Sequence, residues 1–266
     1  MSRLLASLVL MFLLTSVAIR AQDMEGDGIP ILVYHRFDAA KPGATTITTA
    51  ALESQLAWLA LHHYTVIPVA TVIETVTGLR QKTPNTIAIT VDDGHASVFT
   101  ILFAMVQKYH IPITLFIYPS AISNAPYALT WEQLRQMKAS GLVDIQAHTY
   151  WHPDFRREKR RLPPMEYEKF VDAQFHRSKA VLEQHLGSPV TSMAWPYGIY
   201  DRDLEQAASR AGYSSAFAYA GGVARKGSDL LAIPRIPVAE HTQGDAFAAL
   251  LKGAQANRNG NAPNHN

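Results

Sequence analysis

The stretch Thr86-Ile87-Ala88-Ile89-Thr90-Val91-Asp92-Asp93-Gly94 decides the fold. Its first six residues form a short apolar run, the pattern of a strand buried on both faces as in a parallel sheet. Two carboxylates and a flexible glycine then stand where that strand ends. Runs of the same kind recur at Ile31–Tyr34, Ile113–Tyr118, Val143–Ala147, Ser192–Trp195 and Ser214–Ala218, with Ile233–Val238 as a last candidate. Between them lie amphipathic stretches, Thr49–His62, Ser97–Tyr109, Thr130–Ser140, Met165–Leu186 and Asp201–Ala211, several opening on Ser, Thr or Asp and closing on Gly. These are helix start and stop signals with a capping mechanism behind them. Strands alternating with helices predict an α/β fold of six or seven units. Periodicity alone does not separate an open sheet from a barrel, but in both the ligands gather at the carboxyl ends of the strands.

Four polar clusters occupy such positions: Tyr34-His35-Arg36, Asp92-Asp93-Gly94, His148-Thr149-Tyr150-Trp151-His152 and Pro196-Tyr197-Gly198. Adjacent side chains on a strand point differently, so one of the two carboxylates could coordinate a cation while the other stays free as a base. Taken alone the pair reads equally well as an N-cap for the helix that follows. The histidines change this. Two imidazoles four residues apart can face one cation if the segment makes a helical turn, and Pro153 stops a longer helix from absorbing both. Two His and one Asp leave a coordination position open for water, as a catalytic metal site requires.

The 266 residues are 48% hydrophobic and 17% charged, ample for one sizeable core, and carry a formal charge of +2. That is too mild for a nucleic-acid face, so no nucleic-acid partner is expected. There is no cysteine, which excludes disulfides and thiol ligands and leaves His, Asp or Glu to hold any metal. Residues 1–21 read as a signal peptide or membrane anchor, with Arg3 ahead of an apolar stretch from Leu4 to Val17. Export is therefore expected, to the periplasm or the extracellular space, with a membrane association through residues 1–21 if they stay attached. Residues 22–28 read as a polar linker, 29–252 as the catalytic domain, and 253–266 as a disordered tail. A monomer is the expectation. The run Arg156–Arg161, with five positive charges in six residues, reads as a solvated loop, or as a rim that attracts an acidic polymer or an anionic membrane.

Asp92-Asp93-Gly94, His148-x-x-x-His152 and Pro196-Tyr197-Gly198, in this order and each after a strand, resemble the first three motifs of the polysaccharide deacetylases, carbohydrate esterase family 4, also called the NodB-homology domain. Ile31-Leu32-Val33-Tyr34-His35-Arg36 resembles the amino-terminal motif of the subgroup that deacetylates poly-β-1,6-N-acetylglucosamine in biofilms. The resemblance spans about residues 29 to 240. It implies a distorted (β/α) barrel of about seven strands and a hydrolase that removes N-acetyl groups from an N-acetylglucosamine-containing polysaccharide, releasing acetate. It implies a divalent metal, Zn²⁺ first and Co²⁺ or Ni²⁺ as alternatives, held by Asp93, His148 and His152. Asp92 then matches the general base and the Tyr197 backbone N–H the oxyanion donor, and in the biofilm subgroup, where the motif order is permuted, the histidine of the amino-terminal Tyr-His motif takes the role of general acid, here His35; no Leu-x-His element follows Arg235, and the surroundings of His241 do not match.

The sequence departs from the family pattern in two places. The arginine that usually opens the third motif and positions the base is Ala194 here, and Arg235 is the candidate to supply the missing guanidinium, against a surface ion pair as the plainer role. His95 follows Gly94 where an aromatic residue is frequent, and reads as a rim residue or a helix-start polar group. Trp151, Trp195, Tyr197 and Tyr34 could stack on sugar rings or pack in the core, with Tyr197 and Trp151 favoured for the groove. Two other functions stay open: a catalytically decayed carbohydrate-binding domain, and an O-acetyl esterase acting on a polysaccharide.

Overall fold

The computed structural model describes residues 26–257. Among the described residues ten strands are formed: β1 (Ile31–Tyr34), β2 (Arg36–Asp38), β3 (Thr46–Thr48), β4 (Thr65–Val66), β5 (Thr86–Asp93), β6 (Ile113–Ile117), β7 (Val143–Ala147), β8 (Ser192–Ala194), β9 (Ser215–Phe217) and β10 (Ile236–Pro237). Seven of them form one parallel path in the order β10-β1-β5-β6-β7-β8-β9, curled into a half-barrel with helices packed around it. The short β4 pairs with the first two residues of β5, and β2 with β3. The expected last strand is mostly irregular, for a reason visible in its partners. Ile233 bridges to Phe217 of β9 and Ile236 pairs with Leu32 of β1, so this segment crosses from one edge of the path to the other and draws the edges together.

The central strands are legible because almost all of their residues are buried. In β5 every residue from Thr86 to Asp92 is buried, and all of β6 is. Side-chain caps fix several helices. Thr48 caps Thr49–Leu61 and Asp201 caps Arg202–Arg210, while Thr130 and Gln133 form a reciprocal box at Trp131–Ala139. Gly187, at φ 64°, ends Pro164–Leu186.

Several expectations need correction. The helix after β5 opens with a π turn at Val98–Leu102 before the regular turns Phe103–Tyr109. The basic run is not a loop: Phe155–Arg161 is a helix capped by Asp154, in which Arg161 pairs with Glu158 and Lys159 with Asp201. The proposed disordered tail begins inside a helix, Asp245–Ala256, whose Phe247, Leu251 and Ala254 are buried. The linker is likewise tied down at its end, where the Gly28 carbonyl accepts from Gln255 Nε2 at 2.9 Å. The leader at 1–21, residues 22–25 and residues 258–266 lie outside the described residues. Among the described residues no helix is long and apolar enough to cross a membrane.

Candidate functional site

Parallel strands put the carboxyl ends of β1, β5, β7, β8 and β9 on one side, and the polar clusters meet there. Asp92 and Asp93 are the last two rungs of β5, in register with Phe116 and Ile117 of β6. Asp92 is buried, and its carboxylate is gripped on both oxygens by Arg235: Nη1 to Oδ1 and Nη2 to Oδ2, each 2.7 Å. Arg235 is itself fully buried, with Nε on the Ala218 carbonyl and Nη1 also on Thr90 Oγ1. It is therefore a buried fork on the base candidate rather than a surface ion pair. Burial alone would raise the Asp92 pKa, but the Arg235 guanidinium, bonded to both oxygens, brings it down to about 2. Asp93 moves the other way, raised by burial and then by the charge of Asp92.

His148 and His152 face this pair. His148 Nε2 lies 3.8 Å from Asp93 Oδ1 and His152 Nε2 lies 3.6 Å from the same oxygen, and the three ligand atoms fall within 4.8 Å of one another. Ligands about 2.0–2.1 Å from a tetrahedral cation sit about 3.4 Å apart, so a cation fits with a small inward adjustment. The donors are also prepared. A carbonyl can only accept, so the 2.8 Å contact between His148 Nδ1 and the Ala194 oxygen fixes the proton on Nδ1 and leaves Nε2 as a lone pair. Burial lowers the His148 pKa to about 3 and lowers that of His152 as well, so both rings are neutral, the form that binds metal. The 3.8 Å approach of His148 Nε2 to Asp92 is accordingly no ion pair.

The histidine segment is not the expected helical turn. Thr149 (φ 62°) and His152 (φ 64°) both take the left-handed conformation, as do Asp93 (φ 77°) and Tyr197 (φ 56°). For a β-branched residue such as Thr149 this is a true outlier. Each such residue costs about 1–3 kcal/mol and persists only where its surroundings enforce the conformation; Asp93, His152 and Tyr197 line one cavity, and Thr149 lies buried between the two histidines. Thr149 Oγ1 accepts from the His152 N–H at 3.1 Å, which closes the loop between the two rings.

The cavity has a volume of about 510 Å³, with His35, Asp92, Asp93, His148, His152 and Tyr197 all on its walls. His35 is half-buried and meets Tyr219 edge-on at 6.1 Å. Tyr197 is 65% exposed and its ring lies 4.5 Å from that of His152. His241 is exposed and stands apart from the cavity walls. Of the other aromatics, Trp195 is buried with one edge on the cavity, and Tyr34 is a core residue bonded to Gln55. Trp151 is exposed but packs on Phe170, away from the walls. His95 serves the start of the helix, with Nδ1 on Ser97 Oγ at 2.8 Å. Arg36, from the first polar cluster, is also on the wall, while sequence reasoning missed Thr45, Tyr118 and Tyr219. Tyr118 follows β6 directly and Tyr219 lies two residues past the end of β9, so the carboxyl-end rule applied to every strand would have found both.

A parallel half-barrel with an Asp-His-His cluster at its strand ends defines a class of hydrolase fold, and similarity to known proteins gives the family. The polysaccharide deacetylase family profile matches residues 80–216, just over half of the chain. The chain belongs to the polysaccharide deacetylase family, and is a deacetylase, a hydrolase. The poly-beta-1,6-N-acetyl-D-glucosamine N-deacetylase of Staphylococcus epidermidis is 25% identical over 219 residues, 78% of this chain and 71% of that protein. The enzyme of the same name from Escherichia coli is 22% identical over 258 residues, 84% of this chain but 38% of the relative's length. The solved structure of IcaB from Ammonifex degensii superposes with a TM-score of 0.76 at 24% identity, covering 86% of this chain and 98% of that one. It shares the fold.

Proposed function

We propose that this chain is a divalent-metal-dependent N-deacetylase of an N-acetylglucosamine polymer, with Asp93, His148 and His152 as ligands. The single observation that carries the reading is the meeting of that ligand triad with a buried, arginine-gripped Asp92 on one cavity wall. A bound Zn²⁺, or Co²⁺ or Ni²⁺ in its place, supplies Lewis-acid chemistry, acidifying water and polarising the acetyl carbonyl. Asp92 takes the proton of the attacking water. At a pKa of about 2 it is ionised across the neutral range, always ready to accept but weakly basic, so it depends on that acidification. The Tyr197 N–H stabilises the oxyanion, a contribution of about 3–4 kcal/mol for one such donor. His35 hands a proton to the leaving amine, which keeps the tetrahedral intermediate from collapsing back to amide.

The guanidinium absent at position 194 is supplied by Arg235, which supports an active enzyme over a decayed binding domain. The polymer class rests on the activity for which the S. epidermidis and E. coli relatives are named. The domain spans residues 29–252 together with the helix end to Ala256, and the chain acts outside the cytoplasm as a monomer.

Acetate release from poly-β-1,6-N-acetylglucosamine, chitin oligomers and peptidoglycan, with metal content measured alongside, tests this. Chelation should bring release to background and Zn²⁺ or Co²⁺ should restore it. His148→Ala should lose both metal and turnover. Full activity in metal-free protein, or release from O-acetyl esters alone, would overturn the reading.

A further inference from the structure

The helix Pro164–Leu186 buries Val171, Phe175 and Leu182, and among them it places two polar side chains, Gln174 and Ser178. They are one helical turn apart, and Ser178 is wholly enclosed. A buried amide or hydroxyl is costly unless it is bonded, and packing alone would favour apolar residues at both positions. The groups they bond belong to the segment between the two histidines. Ser178 Oγ donates to the Thr149 carbonyl at 2.9 Å, and Gln174 Oε1 accepts from the Trp151 N–H at 3.1 Å. With the Thr149 Oγ1 contact to the His152 N–H, side chains hold this short segment at three backbone atoms, and the Tyr150 carbonyl accepts from the Ser120 N–H at 3.1 Å.

We propose that Gln174 and Ser178 are positioning residues for the metal centre. They hold the His148–His152 segment in its strained form, and so keep His152 Nε2 3.6 Å from Asp93 Oδ1. Neither side chain lines the cavity, so their effect passes through the loop. Left-handed φ values at Thr149 and His152 persist only where neighbours enforce them. Without the two anchors the segment relaxes toward ordinary backbone angles, and rotation at His152 swings its ring off the shared point. An incoming cation must then order the loop at the expense of its own binding energy. The inference rests on the assignment of Asp93, His148 and His152 as ligands.

Ser178→Ala removes one anchor, and Gln174→Met removes the other while keeping its length. Val171→Ala, in the same buried stripe but with no bond to the loop, serves as the packing control. Zn²⁺ affinity is measured on the purified full chain by competition with a chromophoric chelator, and Co²⁺-loaded protein is read by its visible absorption. Each anchor variant should weaken Zn²⁺ binding about 10- to 100-fold, the range seen when groups behind metal ligands are lost. Its Co²⁺ spectrum should shift, while Val171→Ala, at matched loss of thermal stability, leaves affinity and spectrum as in the parent. Affinities within threefold of the parent in both anchor variants, or an equal loss in Val171→Ala, would overturn the proposal. If Ser178→Ala fails to fold, Gln174→Met decides alone. A parent chain that binds no Zn²⁺ would instead sink the ligand assignment itself.

Discussion

Asp92 and Asp93 stand on the last two rungs of β5, in register with Phe116 and Ile117, whereas His152 and Tyr197 stand on loops at φ 64° and 56°. The carboxylates inherit their direction from the ladder of the sheet, which holds Asp93 in register even at φ 77°, and their chemistry from what lies beside them. Asp92 gains Arg235 and stays ionised, while Asp93 keeps a raised pKa that a cation would reverse. The loop residues have no ladder and depend on backbone conformations that side-chain contacts must enforce. Damage to the sheet-borne half should therefore be electrostatic and severe. Damage to the loop-borne half should be geometric and graded.

The hardest blow to the sheet-borne half is Arg235→Ala. It strands a buried carboxylate, and removing one partner of such a pair costs about 3–5 kcal/mol. Denaturant melts should show this, with Arg235→Lys intermediate because an ammonium cannot grip both oxygens. The double variant Arg235→Ala with Asp92→Ala should be more stable than Arg235→Ala alone, since no orphan charge remains. A single variant that loses less than about 1 kcal/mol would show that Asp92 finds other solvation, and would break the contrast.

Next comes the division of labour between neighbours. Asp92→Asn should keep its metal and lose on the order of 10³ in kcat, within the range for a positioned base. Asp93→Asn should lose the metal itself. Equal metal loss in both would mean that the ladder does not separate their roles, a result the 3.8 Å approach of Asp92 to His148 Nε2 makes worth measuring.

His35, just past the end of β1, gives a smaller and more selective effect. An amine leaves poorly unless protonated, while an activated ester needs no acid. His35→Ala should thus slow amide deacetylation by on the order of 10², spare an activated acetate ester, and leave metal content unchanged. Equal losses on both substrates would make His35 structural.

The same contrast governs what is legible in the sequence. Strand β5 and its terminal carboxylates can be read because an apolar run of that length, closed by Asp-Asp-Gly, fits a buried parallel strand and little else. The left-handed residues in and behind the site cannot be read. The usual sign of positive φ is glycine, and Thr149, His152 and Tyr197 carry side chains that local propensity assigns elsewhere. The histidine spacing therefore suggests a helical turn, and tertiary anchors decide otherwise. Arg235 lies 143 residues from Asp92 in sequence. Its role is visible there only as a gap at Ala194 in search of a guanidinium, and only burial separates the fork from a surface pair. The helix Asp245–Ala256 reads partly as tail because Gly, Ala and Asn dominate the residues after Lys252, while the apolar face that holds it in place lies mostly before them.

The smallest predicted effect tests whether loop strain is kept for function. Tyr197 is mostly exposed, so its ring adds little packing, yet its φ of 56° carries the left-handed penalty of about 1–2 kcal/mol for a residue with a Cβ. Tyr197→Gly removes that penalty but adds about 0.4–1 kcal/mol of unfolded-chain entropy. The net change should be neutral to about 1 kcal/mol stabilising, or a Tm rise of up to about 2–4 °C for a chain of this size. Glycine keeps the backbone N–H assigned to the oxyanion, so kcat should hold within a few-fold. What disappears is the ring beside His152 at the cavity mouth, where a sugar could stack. An aromatic contact is worth about 0.5–1.5 kcal/mol, so KM for the polymer should rise roughly three- to tenfold, with no change for a small acetate ester. A stabilised variant with unchanged KM would mean the strain serves only to aim the N–H. A destabilised one would mean the His152 contact at 4.5 Å holds the loop, and would place Tyr197 among the anchors.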